Sequence, residues 1–196
     1  MQEEITPGTV DQLLSDIADA CVAVDSSGVP FRGFHPGVGP YGEPQLVKLL
    51  ANHLNTLPTY SGRAMCKRTP DLLLCGLWAL EFKIARPFGD NGLEAENWSV
   101  NLLHPYPGNI SLFGDCLKLA SLQTPEKRAA VVIGFEHNPA RISLDPLFYA
   151  FEAVAARLLP FAISPRHEVT RHGLVHPIHQ VARIAAWEVP LCSLTT

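Results

Sequence analysis

The sequence predicts an α/β domain in which a central mixed sheet is flanked by helices. Three observations carry this expectation. Apolar residues recur at helical spacing over residues 10–21, 43–57 and 145–160. Compact apolar runs of strand length occupy residues 71–75, 77–85 and 129–137. The two kinds of segment interleave in the order helix, strands, helix, strand, helix, which is the order of a layered α/β unit rather than of separate all-α and all-β parts. At 196 residues with 47% hydrophobic and 17% charged residues, the chain is long and apolar enough to close one sizeable core, so residues 1–196 are expected to form a single domain.

Taken in order, residues 10–21 place Val10, Leu13, Leu14, Ile17 and Cys21 on one helical stripe. Residues 25–42 hold five glycines and three prolines and are expected to be loop. A second helix opens at Glu43-Pro44, with proline at its first turn and Leu46, Leu49, Leu50 and Leu54 on its buried side, and Pro58 stops it. Residues 59–66 are a weak strand candidate. DLLLC from Asp71 and LWALEFKIA from Leu77 are two extended runs separated by Gly76, the pattern of a hairpin. Residues 86–110 form a long connection punctuated by glycine and proline, a length at which loops are often functional. A helix over 111–122 and a strand over 129–137 follow, and Asp145-Pro146 starts the last helix. The tail from residue 161 mixes proline and histidine with the apolar stretch VARIAAWEV, to which the pattern assigns no element.

Composition narrows the setting. No apolar stretch reaches membrane-spanning length, and the acidic start MQEEITPGTVDQLL lacks the basic-then-apolar order of a secretory signal. Five dispersed cysteines (Cys21, Cys66, Cys75, Cys116, Cys192) without a C-x-x-C pair read as reduced packing thiols, and the expected location is the cytoplasm. The net charge of −4 argues against a protein that coats nucleic acid non-specifically. It leaves room for a site whose clustered carboxylates hold cations, beside a modest basic groove. Arg63, Lys67 and Arg68, with Arg166, Arg171 and Arg183 in the tail, are the candidates for that groove.

The chemistry concentrates around Gly76. In a strand, residues two apart share a face, so Glu81 and Lys83 point together, while Trp78, Leu80, Phe82 and Ile84 make an apolar set on the other side. Asp71 lies as far before Gly76 as Glu81 lies after it. A hairpin turning there sets the two acids side by side, whereas a one-residue slip would separate them. Two carboxylates beside an ammonium suit magnesium or manganese, which bind through one or two carboxylates and keep positions for water and phosphate. Such an ion lowers the pKa of bound water and offsets charge on a phosphate, and Lys83 is placed to orient that water or stabilise the transition state. The competing reading makes Asp71 a turn cap and Glu81 and Lys83 a partly exposed strand pair.

The arrangement P-D-x9-E-F-K, on two successive strands, resembles the PD-(D/E)XK nuclease superfamily of restriction endonuclease-like proteins. Residues 43–137 can be laid onto that superfamily's helix, three strands, helix, strand core, about half of the chain. The resemblance implies that Asp71 and Glu81 bind Mg2+ or Mn2+, that Lys83 is the catalytic lysine, and that Glu43 matches the additional acid on the preceding helix. Glu43 stands at the helix start, where a capping role competes with metal binding. It further implies a metal-dependent nuclease, an endonuclease rather than an exonuclease, acting on DNA in preference to RNA. The helix carrying Asp115 and Lys118 would then pack near the site. Lys118, together with Asp90, Asn91, His104 and Asn109 of the long loop, are candidates for substrate contact, against an ordinary role as solvated face or turn residues. A homodimer or a partner subunit would serve cleavage of both strands.

Other chemistries have weaker support. His167, His172, His176 and His179 cluster in the tail, and on a helix three of them would share a face as in a zinc site, but Gly173 and Pro177 interrupt such a helix. There is no G-x-S-x-G elbow and no G-x-x-x-x-G-K-[ST] phosphate loop. The alternative of a different class is a non-catalytic domain of the same fold that binds nucleic acid or protein.

Overall fold

A computed structural model describes residues 8–105 and 111–192. Helix α1 (Val10–Ser26) starts at Thr9, whose side chain accepts from the Gln12 amide, and it runs beyond the predicted end because Val22 and Val24 still pack on the core. Helix α2 (Glu43–Leu54) has proline in its first turn, as expected, and buries Leu46, Val47, Leu50, Ala51 and Leu54. A single turn at Pro58–Tyr60 and the turn that follows it over 61–63 take the first five residues of the weak strand candidate, which shrinks to β1 (Ala64–Cys66). Strands β2 (Leu72–Leu74) and β3 (Trp78–Ala85) form the hairpin. A short α3 (Val100–Leu103) interrupts the long loop before α4 (Leu112–Ser121), β4 (Lys127–Glu136) and α5 (Asp145–Leu158).

The tail supplies two strands. β5 (His167–His172) and β6 (Val181–Glu188) complete a six-stranded mixed sheet in the order β1-β2-β3-β4-β6-β5. Only the β3–β4 pair is parallel, and the crossover between its strands carries α3 and α4. Because β6 lies between β4 and β5, its small residues Ala182, Ala185 and Ala186 are fully buried.

The sheet separates two apolar layers. Trp78, Leu80, Phe82 and Ile84 of β3 pack with α1 and α2, while Ala79 and Ala85 face α3, α4 and α5 together with Phe148, Phe151 and Trp187. Burying a side chain of this size contributes about 1.5–3 kcal/mol, so the two layers fix the pleat of β3 and thereby the direction of Glu81 and Lys83. Among the described residues no helix is long and apolar enough to cross a membrane. The thiols divide: Cys21 and Cys116 are packed as expected, but Cys66 is exposed.

Candidate functional site

The hairpin register sets the geometry. Leu72 pairs with Leu80, Leu73 with Ala79 and Leu74 with Trp78, so the next step along the ladder puts Asp71 opposite Glu81. Gly76 makes the turn with a φ of +76°, a conformation that disfavours any side chain, and its amide donates to Glu126 Oε1 at 2.9 Å. Asp71 stands just outside β2, where its Oδ2 accepts the Phe82 amide at 2.8 Å, so the carboxylate takes the place of the next ladder partner. Glu81 and Lys83 are both buried, at 3% and 7% exposure. The partly exposed strand pair of the competing reading is therefore not what forms.

Helix α4 completes the arrangement with a residue that sequence reasoning left out of the metal and catalytic sets. Asp115, fully buried, lies 2.9 Å from Lys83 Nζ and 2.7 Å from Lys118 Nζ. On the other side Lys83 Nζ is 3.4 Å from both carboxylate oxygens of Glu43, and it also donates to the Phe82 carbonyl at 2.7 Å. Glu43 and Asp71 share the wall of a small cavity of about 110 Å³ with Lys67. Four acids (Glu43, Asp71, Glu81, Asp115) and two lysines thus converge around β3, where its pairing with β2 ends. Glu43 meets Lys83 rather than serving only as a helix cap.

The electrostatics are strained in a specific way. Burial, reinforced by the negative charges of Asp71 and Asp115, pushes the Glu81 carboxyl up to about 8, and Glu81 Oε1 is buried without a hydrogen-bond partner. Burial also raises Glu43, with Asp71 and Asp115 adding to it and Lys83 opposing. For Lys83 burial acts against the charge, but Asp115 and Glu43 outweigh it and hold the ammonium above its ordinary range. An orphaned carboxylate oxygen in a cluster of mutually repelling acids is a donor set suited to a hard cation, because the ion removes both penalties together. Asp71 and Glu81 are the residues of the cluster that could hold such a cation, although no three of its acids bring ligand atoms within 4.8 Å of one another. Lys83 fills the space between Glu43 and Asp115.

The remaining sequence candidates divide clearly. Asn91 uses its side chain within its own turn, accepting the Leu93 amide at 3.0 Å. His104 ends α3, and its carbonyl accepts Ser111 Oγ at 2.6 Å, which ties the loop to the start of α4. Lys118 sits at the cluster, although paired with Asp115. Asn109 lies outside the described residues. The tail arginines make no basic groove: Arg166 meets Glu152 and Glu168, Arg171 meets Asp19, and Arg183 is held by Glu136, Asp145 and Glu168. Arg63 donates to the Cys75 carbonyl, which leaves Lys67 and Arg68 as the exposed cations beside Asp71.

The tail histidines lie on a strand and a loop, not on a helix. His167 pairs with Asp11 on α1, while His176 and His179 stack on each other deep under the glycine-rich loop. Sequence reasoning also missed a second group, in which ligand atoms of His35, Asp90 and His176 lie within 4.8 Å of one another. It joins residues far apart in the chain, so no spacing signals it. Its chemistry opposes a metal. His176 Nδ1 accepts the amides of Ile178 and His179 at 3.1 and 3.0 Å, so the ring proton belongs on Nε2, which donates to Asp90 Oδ1 at 2.8 Å. A metal at Nε2 would require an imidazolate. The His176–Asp90 contact is a structural tie between the tail and the loop after β3.

No protein family, curated protein or solved structure matches this chain.

Proposed function

We propose that this chain is a magnesium- or manganese-dependent phosphodiesterase that hydrolyses nucleic acid, with DNA the expected substrate, and that it is a PD-(D/E)XK-type nuclease with a restriction endonuclease-like core. The observation that carries the reading is the pairing of Asp71 with Glu81, whose Oε1 is buried and unpartnered, two residues from Lys83. In this reading Asp71 and Glu81 hold the cation, which supplies a polarised phosphate and a water of lowered pKa. Lys83, kept protonated by Asp115 and Glu43, stabilises charge on the phosphate or orients the attacking water. Glu43 is a second-rank cation ligand, because in this conformation its oxygens face Lys83. Lys118, paired with Asp115, and Lys67, on the cavity wall with Asp71, are the lysines this reading assigns to flanking phosphates.

One observation favours a second reading, a binding domain without turnover: Lys83 is locked by ion pairs rather than free at the surface. Incubation of plasmid, single-stranded DNA and RNA with magnesium or manganese separates the two. The hydrolytic reading expects cleavage that EDTA abolishes and that Lys83→Ala lowers by about a hundredfold or more. Equal cleavage, or none, by wild type and Lys83→Ala across these substrates rejects it.

A further inference from the structure

Beyond the end of β3 lies a cavity of about 330 Å³, within the size range of about 300–1,000 Å³ typical of small-ligand sites. Phe34, Phe88 and Trp98 supply aromatic walls, Arg86 a guanidinium and Asn101 an amide. Arg86 has one hydrogen bond, from Nη1 to the Gly39 carbonyl at 2.7 Å, and no ion pair among the described residues. This distinguishes it from Arg166, Arg171 and Arg183, each of which meets carboxylates. A largely buried cation without a counter-charge is costly, and an anionic ligand removes the cost. The two acids on the cavity wall do not fill that role. Asp90 is already engaged by His176 and His35, and Glu96 is exposed to solvent.

The cavity draws wall residues from two segments that also carry the carboxylate cluster, without sharing a residue with it. Ile84 in its wall follows Lys83, and Pro40 precedes Glu43 by a few residues. Arg86 stands just past the end of β3, three residues beyond Lys83, which at a strand rise of about 3.3 Å per residue is an axial separation of roughly 10 Å, about one or two nucleotides. We infer that this cavity is a nucleotide subsite, in which Arg86 binds a phosphate and the aromatic wall takes the attached base of the nucleic-acid substrate. The inference rests on the hydrolytic reading for its substrate class, and it narrows that class. A base enters such a cavity only when it is unstacked, so the substrate is a single strand or an opened end rather than a closed duplex.

The test is a titration of tryptophan fluorescence with dAMP in EDTA, so that cleavage plays no part. Trp78 and Trp187 are fully buried, which makes partly exposed Trp98 the reporter. Saturable quenching with a dissociation constant of about 1 mM or tighter is expected. Inorganic phosphate and deoxyadenosine should each bind the wild-type protein about tenfold more weakly than dAMP, and Arg86→Gln should weaken dAMP by about the same factor. No saturable change up to about 10 mM dAMP overturns the inference, as does phosphate binding as tightly as dAMP. Unchanged affinity in Arg86→Gln also overturns it, and if that variant does not fold, the wild-type ligand series decides alone. Binding of dAMP without metal-dependent cleavage rejects the hydrolytic reading only. Cleavage without dAMP binding rejects the subsite only.

Discussion

Replacing Glu81 with glutamine should stabilise the metal-free protein at alkaline pH, and the size of the gain follows from the site. The Glu81 carboxyl titrates near 8 in the fold, because burial and the charges of Asp71 and Asp115 oppose its ionisation. In the unfolded chain it titrates near 4.5. A folded-state value raised above the unfolded one gives stability that is complete below about pH 4.5 and is lost progressively as pH rises through about 8. At about 1.4 kcal/mol per pH unit, the ceiling on that loss is roughly 5 kcal/mol. Solvent screening around the site offsets part of it, so a loss of about 1–3 kcal/mol is expected. Glutamine keeps the shape and cannot ionise. Urea unfolding in EDTA at pH 5 and at pH 9 measures the effect: the stability difference between Glu81→Gln and wild type should grow by about 1–3 kcal/mol between the two. Millimolar magnesium should close the gap at pH 9 by stabilising the wild type alone. A difference that stays constant with pH would refute the argument that Glu81 is held under electrostatic strain.

Two further perturbations probe the support of the site. Asp115→Asn strips Lys83 and Lys118 of a buried counter-charge and should cost about 2–4 kcal/mol in urea unfolding, with cleavage by any active preparation falling along with it. An unchanged unfolding midpoint would mean that Glu43 alone holds Lys83. Gly39→Ala would bring a methyl to 2.2 Å from His179 Nδ1, against a ring fixed by its bond to the Phe88 carbonyl, and should cost about 2–3 kcal/mol, read as a fall in melting temperature.

The parts of the fold legible in the sequence are those in which local pattern and tertiary environment agree. The Asp71–Glu81 pairing could be read because the two acids flank a glycine symmetrically and a buried apolar set on β3 fixes the face. β6 was illegible because VARIAAWE, flanked by strands on both sides, is almost continuously small and apolar, a run that suits a buried helix equally well. β5 was missed because HEVTRH is a half-buried edge strand with little apolar content. The importance of Asp115 follows from the packing of α4 on β3, and a lone acid on a helix carries no mark of its future burial. The arginines of the tail misled for the same reason. Apart from Glu168, two residues from Arg166, their partners come from α1, α5 and β4, which no local window contains.

The glycine-rich loop has a consequence for where this protein can be cut. It ends at Gly42, the residue before Glu43, and is fastened from behind at several points. Asp25 accepts the amides of Val38 and Val175 at 2.9 and 2.7 Å, Arg86 holds the Gly39 carbonyl, and His179 lies flat against Gly39. The histidines of the tail therefore act as a mounting for the segment that delivers Glu43 to Lys83. A fragment trimmed to residues 43–137 would keep every letter of the acidic motif and lose the bracket that aims its first acid. A piece that keeps this bracket has to reach from α1 into the segment between β5 and β6.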